Sequence, residues 1–182
     1  PPQKAEKRVT VEEPVPLPAV VVGYHITYDG HADAYPLHIL AKVLSDGQSS
    51  RIYRKLVYDS GLALTAFGQA NLIEHPNLLY TVAIVNPGQS PAAVEKALIA
   101  ELDRMKTEGI TPRELQRSKN QFARDYILGR ETVQQKATSL AHAEVLHADI
   151  GTADGEFDIF QGITEADVQR VARTYFTPES RV

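Results

Sequence analysis

Apolar positions along the chain change period several times, and each change predicts an element. "AVVVGYHITY" (19–28) is dense in β-branched and aromatic residues and predicts a strand. After the turn "DGHADAYP", Leu37, Leu40, Ala41 and Leu44 recur at helical spacing, and Asp46-Gly47 ends that helix. "RIYRKLVYD" (51–59) predicts a short helix with Ile52, Tyr53 and Leu56 on its apolar face, Ser49 or Ser50 as its cap and Gly61 beyond its end. "LALTAFGQA" (62–70) alternates and predicts a strand; "NLIEHPN" breaks it, and "LLYTVAIV" (78–85) predicts the next. The second half turns helical. Pro91 opens a helix lined by Leu98, Leu102 and Met105 and stopped by Gly109. "TPRE" (111–114) is a capping box for a helix striped by Leu115, Phe122 and Tyr126. Gly129 interrupts, "TVQQKATSLAHAEVLH" (132–147) resumes, a polar glycine-bearing loop follows, and Thr164 caps a last helix carrying Val168, Val171 and Tyr175, closed by Pro178.

Strands first and helices afterwards predict an α+β fold: a two-layer sandwich with an antiparallel or mixed sheet and helices packed on one face. The first 18 residues, with five prolines and mixed charge, predict a linker enclosing one strand, "RVTV" (8–11). Residues 19–182 then form the domain, expected to be a piece of a longer chain. Composition narrows the function. With 43% apolar and 23% charged residues, the chain can bury a sizeable core. A net charge of -4 without a basic stripe speaks against a nucleic-acid partner. No cysteine is present, so disulfides, zinc–thiolate sites and cysteine nucleophiles are excluded. No apolar run approaches the length of a membrane span.

Six histidines raise the question of a metal. His31 and His38 flank Asp33, but Pro36 between them spoils a shared helical face. In "HAEVLH", His142 and His147 are five apart, about 140° around a helix, so they are expected to diverge. Neither His-x-x-x-His nor His-x-x-Glu-His occurs. His25 reads as a hydrogen-bonded sheet residue. The serines of "DGQSSR" (46–51) have no acid or histidine placed to activate them, and no Gly-x-Ser-x-Gly, Walker or dinucleotide motif is present. On its residues alone, the chain carries no catalytic centre and no metal ligands.

"DGQSSRIYRKLVYDSGLALTAFG" (46–68) resembles the Gly-x-Ser-Ser-Arg-Leu-Tyr-x-x-Leu and Gly-Leu-Ala segment of the insulinase/pitrilysin family of zinc metallopeptidases, which includes mitochondrial processing peptidase. "GITPRELQRSKNQFARDYI" (109–127) and "ITEADVQRVARTYFTPES" (163–180) are similar to two later helices of that family, in the same order. The resemblance runs from about Val9 to Arg181. It implies the mitochondrial-processing-peptidase-like metallohydrolase fold, in which two such units close around a substrate and one carries an inverted zinc motif. Lacking His-x-x-Glu-His, this chain resembles the non-catalytic half. Its implied partners are a zinc-bearing half, in the same chain or a separate subunit, and an extended peptide. A dimer is possible within that scheme, and zinc is expected in the partner half alone. The proline-rich start then resembles the linker from the zinc half, and Val182 falls where a final strand would run. Bacterial relatives are often exported, which implies the periplasm, with the cytoplasm as the alternative.

The resemblance departs at one point. Many non-catalytic halves present an Arg and a Tyr, seven apart, to the substrate; aligned on "SGLAL", those positions are Val57 and Leu64. Arg51 and Tyr58 are also seven apart but off that register, and with Arg54 they are the candidate chamber contacts, the alternative being a solvated face. A second function class stays open: a binding or scaffold module of the same fold with no protease role.

Overall fold

The computed structural model describes residues 3–182. Its elements are β1 (Ala19–Ile26), α1 (Ala34–Ser45), α2 (Arg51–Tyr53), β2 (Ala63–Ala70), β3 (Asn77–Val85), α3 (Pro91–Thr107), α4 (Pro112–Leu128), α5 (Val133–His147), α6 (Thr152–Gly162) and α7 (Glu165–Tyr175). The fold is α+β, as the order of periodicities predicts. The sheet is antiparallel, ordered β1-β3-β2, with β3 in the centre. Alternation puts Val22, Tyr24 and Ile26 of β1 and Leu79, Thr81, Ala83 and Val85 of β3 on one buried face. Against it pack α1, α3 and α7 through Leu37, Leu40, Leu44, Leu98, Leu102, Val168 and Val171, all fully buried. The helix α4 lies behind α1, α6 joins α4 to α1, and α5 rests on α6. Among the described residues no helix is long and apolar enough to cross a membrane.

Side-chain capping starts three of the helices. Thr111 with Glu114, Thr132 with Gln135 and Thr164 with Asp167 each form a reciprocal capping box. Gly68 has a packing reason instead: a Cβ there would collide with the Tyr80 carbonyl and come within 2.9 Å of the Thr81 Cα across the β2–β3 ladder.

Four expectations are corrected. "RVTV" forms no strand; Val9 and Val11 are exposed and have nothing to pair with. The edge of β1 is met instead by the other end of the chain. Gly23 N–H donates to Val182 O (2.8 Å), Val182 N–H donates back to Gly23 O (2.9 Å), and Lys7 N–H donates to Arg181 O. The segment 148–163 is not a loop throughout, because Thr152–Gly162 is α6. Its glycines weaken the local preference, but Ala153, Phe157 and Phe160 share a face, and Phe160 stacks on Phe122 with ring centroids 3.6 Å apart. The segment after Ser50 is α-helical for one turn only and widens to a π-type turn over Arg54–Asp59, closed by Ser60 N–H donating to Lys55 O. Neither serine caps α2 through its side chain. Ser50 occupies the cap position but its hydroxyl makes no capping bond, while Ser49 accepts from Arg117 Nη1 through Oγ (2.8 Å) and its carbonyl.

Candidate functional site

The segment from Ser49 to Asp59 forms one wall of a groove whose other wall is the end of α3 and the start of α4. Ionic side chains of both signs line it, including Arg51, Arg54, Arg104, Glu101, Glu108 and Glu114. Arg51 is turned into the structure. Its Nε and Nη2 donate to the two carboxylate oxygens of Glu114 at 2.7 Å each, and Nη2 also donates to Gly109 O at 2.9 Å. This fork holds the α3–α4 turn against α2. Burial raises the Glu114 carboxyl, but the bonds from Arg51 and Thr111 outweigh it and bring it down to about 2. Arg54 lines the groove exposed. Tyr58 is exposed too, with its hydroxyl donating to Gln48 and its ring edge-on to Tyr53. The three candidates therefore lie on one segment but do not converge on a point.

The other face of the sheet is open. Val21, Gly23 and His25 of β1, Leu78, Tyr80, Val82 and Ile84 of β3, and Thr65, Phe67 and Gln69 of β2 point away from the helices. The register aligns Val21, Val82 and Phe67 in a row across all three strands. Val21 is 58% exposed and Phe67 48%. A bulge at Leu64 interrupts β2, leaving that side chain half exposed while Val57 packs against the core. His25 Nε2 lies 3.2 Å from Gln3 Oε1, a hydrogen bond of the kind expected of a sheet histidine.

The remaining histidines separate into distinct environments. His38 is partly buried, its ring edge-on to Phe122 and Phe160, and burial, with Lys42 adding, lowers it to about 4. His31 lies before α1, where its Nδ1 accepts from Asp33 N–H. Asp33 is buried and accepts from Arg170 Nη2 (2.7 Å) and Tyr175 Oη (2.9 Å). Burial pushes its carboxyl up and those two bonds more than reverse the push. His142 and His147 do not diverge as their spacing suggests. Both turn towards Asp29 in the loop after β1, and their ring centroids are 6.1 Å apart. His147 is the last residue of α5, and the loop fills the angle between the two side-chain directions. Helical spacing could not show this, because the third group comes from a residue over a hundred positions earlier.

The geometry is that of a helix-backed sheet with one open face, in a sequence without His-x-x-Glu-His. Residues 1–122 match the family described as the peptidase M16 inactive domain, and the chain belongs to that family. It is 28% identical over 172 residues to the zinc protease PqqE of Helicobacter pylori, covering 94% of this chain and 38% of that protein. It is 27% identical over 150 residues to YmxG of Bacillus subtilis, described as an uncharacterized zinc protease, covering 82% of this chain and 36% of that one. The fold superposes on the crystal structure of a protease from Helicobacter pylori with a TM-score of 0.91 at 27% identity, over 100% of this chain and 44% of the other. The chain thus spans less than half the length of the curated relatives it matches.

Proposed function

We propose that this domain is the non-catalytic half of a zinc endopeptidase and that the open sheet face forms one wall of its substrate chamber. The carrying observation is the apolar row Val21–Val82–Phe67 on a sheet whose other face is fully packed. Such a face suits an extended peptide, whose alternate side chains can settle between the rows while its backbone stays straight. The ligands of a zinc of the inverted-motif kind must come from outside these 182 residues, so no hydrolytic step belongs to this chain. Its part is positioning: a peptide held on two walls samples fewer unproductive poses than one held on a single wall, and orientation alone can lower a barrier by several kcal/mol, up to about 7–11 in ideal cases. Arg54 and Tyr58, exposed on the segment before β2, are proposed as further peptide contacts, whereas Arg51 is committed to Glu114.

The test uses the full-length protein with its zinc-bearing half. Val21→Asp and Phe67→Asp change exposed side chains and leave the core alone, so Tm should move little. The specificity constant for unfolded peptides should fall roughly tenfold or more, the loss of a hydrophobic contact of about 1.4 kcal/mol or greater. Arg54→Ala and Tyr58→Ala should show smaller losses in the same assay. Unchanged kinetics in both sheet variants would remove the face from the chamber and favour the scaffold reading.

A further inference from the structure

We propose that Asp29, His142 and His147 form a binding site for one divalent transition-metal ion of the zinc class, which fastens α5 to the loop after β1. One donor atom from each of the three residues lies within 4.8 Å of the other two. His142 Nε2 is 3.3 Å from Asp29 Oδ2, and His147 Nε2 is 3.9 Å from Asp29 Oδ1. Donors held about 2.1 Å from a tetrahedral zinc stand roughly 3.4 Å from one another. Closing the triangle therefore asks for a shift on the order of an ångström, and His142, which is mostly exposed, is free to make it.

The donor set selects the class of ion. Two imidazoles and one carboxylate suit zinc, cobalt or nickel, whereas calcium and magnesium call for an all-oxygen shell. Three protein donors leave a fourth position for water. The field agrees, because the site lies at the C-terminal end of α5, where the unpaired carbonyls of the last turn favour a cation. The loop is already held in place. Gly30 N–H donates to Asp29 Oδ1 at 2.9 Å and so orients the carboxylate, and Asp29 N–H donates to Ile73 O at 2.7 Å. Gly30 adopts φ +91°, and a Cβ on it would come within 3.3 Å of Leu146 O and 3.4 Å of His147 Nδ1. Glycine is what lets the loop lie against the end of the helix.

The metal has a structural task to perform. The helix α5 buries only Ala143, rests mainly on α6, and leaves Val133 and Val145 largely exposed. Apolar burial holds it weakly, and ligands drawn from two distant segments would cross-link it to the sheet side of the domain.

The test uses the 182-residue chain, expressed without a histidine tag and stripped with a chelator. Titration calorimetry with zinc chloride should give one equivalent at roughly micromolar affinity, as befits three ligands of which one is exposed. Cobalt should give the visible d–d bands of a tetrahedral N,N,O site. Magnesium and calcium should not bind. His147→Ala and Asp29→Asn should each weaken zinc roughly tenfold or more, while His75→Ala, at an exposed histidine between β2 and β3, leaves it unchanged. Zinc should also slow amide exchange in α5 and leave β3 as it was. His142→Ala alters an exposed side chain and keeps the fold, so it isolates ligand loss from unfolding. No binding at millimolar zinc, or binding in His142→Ala, His147→Ala and Asp29→Asn equal to that of the unaltered chain, would overturn the site and leave an ordinary aspartate–histidine contact.

Discussion

His38 illustrates how much one side chain's surroundings matter. In the sequence it is one of two histidines flanking Asp33, set apart by Pro36. In the fold its imidazole stands edge-on to the stacked rings of Phe122 and Phe160, and burial lowers it from 6.5 to about 4. In this interval the unfolded chain binds a proton that the folded one refuses. Stability is therefore full above pH 6.5, falls as pH drops towards 4, and changes no further from this group below that. The shift corresponds to at most about 3.4 kcal/mol. Urea unfolding at pH 7 and pH 4.5 should show the loss, and His38→Leu should remove most of this part of the slope. An equal slope in the variant would mean that another group carries it. Arg51 teaches a similar lesson. Basic and aromatic residues seven apart can look like substrate contacts, yet the partner that binds this guanidinium, Glu114, is 63 positions away and already occupied as a capping residue.

Strands and helices were legible where local preference and burial agree. The Thr111–Glu114 capping box, the Thr164 cap, Pro91 and Pro112 at helix starts, and the alternation of β2 appear in the sequence and in the fold, whereas the Thr132–Gln135 box and the Asp167 half of the Thr164 box emerge only in the fold. The helix α6 was not legible because Gly155 and Gly162 argue locally against it, while the stacking of Phe160 on Phe122 holds it. Its signal was the spacing of Ala153, Phe157 and Phe160. Gly68 belongs to the same class of hidden requirement: β2 can pair with β3 only where the Thr81 backbone is allowed close. Gly68→Ala should cost about 1–3 kcal/mol through forced displacement of the ladder, measured by urea unfolding. A neutral result would mean that the edge strand shifts at no cost.

The two ends of the described chain meet across the domain. The guanidinium of Arg181 pairs with Glu6 while its carbonyl accepts from Lys7 N–H and Gln3 Nε2, and Val182 pairs with Gly23 beside Tyr24. Tyr24 is the largest fully buried side chain of β1 and packs on Phe176 with centroids 4.6 Å apart. The clasp therefore packs beside Tyr24 and pairs the edge of β1 at Gly23, whose backbone groups would otherwise be unpaired. Arg181→Ala should lower stability by about 1–2 kcal/mol, the range of a charge-assisted bond with partial burial. It should also speed amide exchange at Gly23 and Tyr24. Unaltered exchange at those amides would show the clasp to be incidental to the sheet.

The strands β1 to β3, the caps at Thr111 and Thr164 and the helices other than α6 were determined by the sequence itself, because they depend on neighbours within a turn or two. So was membership of a peptidase-like class without its zinc motif, since both the similar segments and the missing His-x-x-Glu-His are local strings. Only the tertiary structure decided that Arg51 serves Glu114, that the open sheet face carries Val21, Val82 and Phe67 in a row, and that His142 and His147 turn to the same aspartate. Each of these is a meeting of groups dozens of residues apart. Which groups meet is set by how the helices and sheet pack, and no period along the chain encodes it.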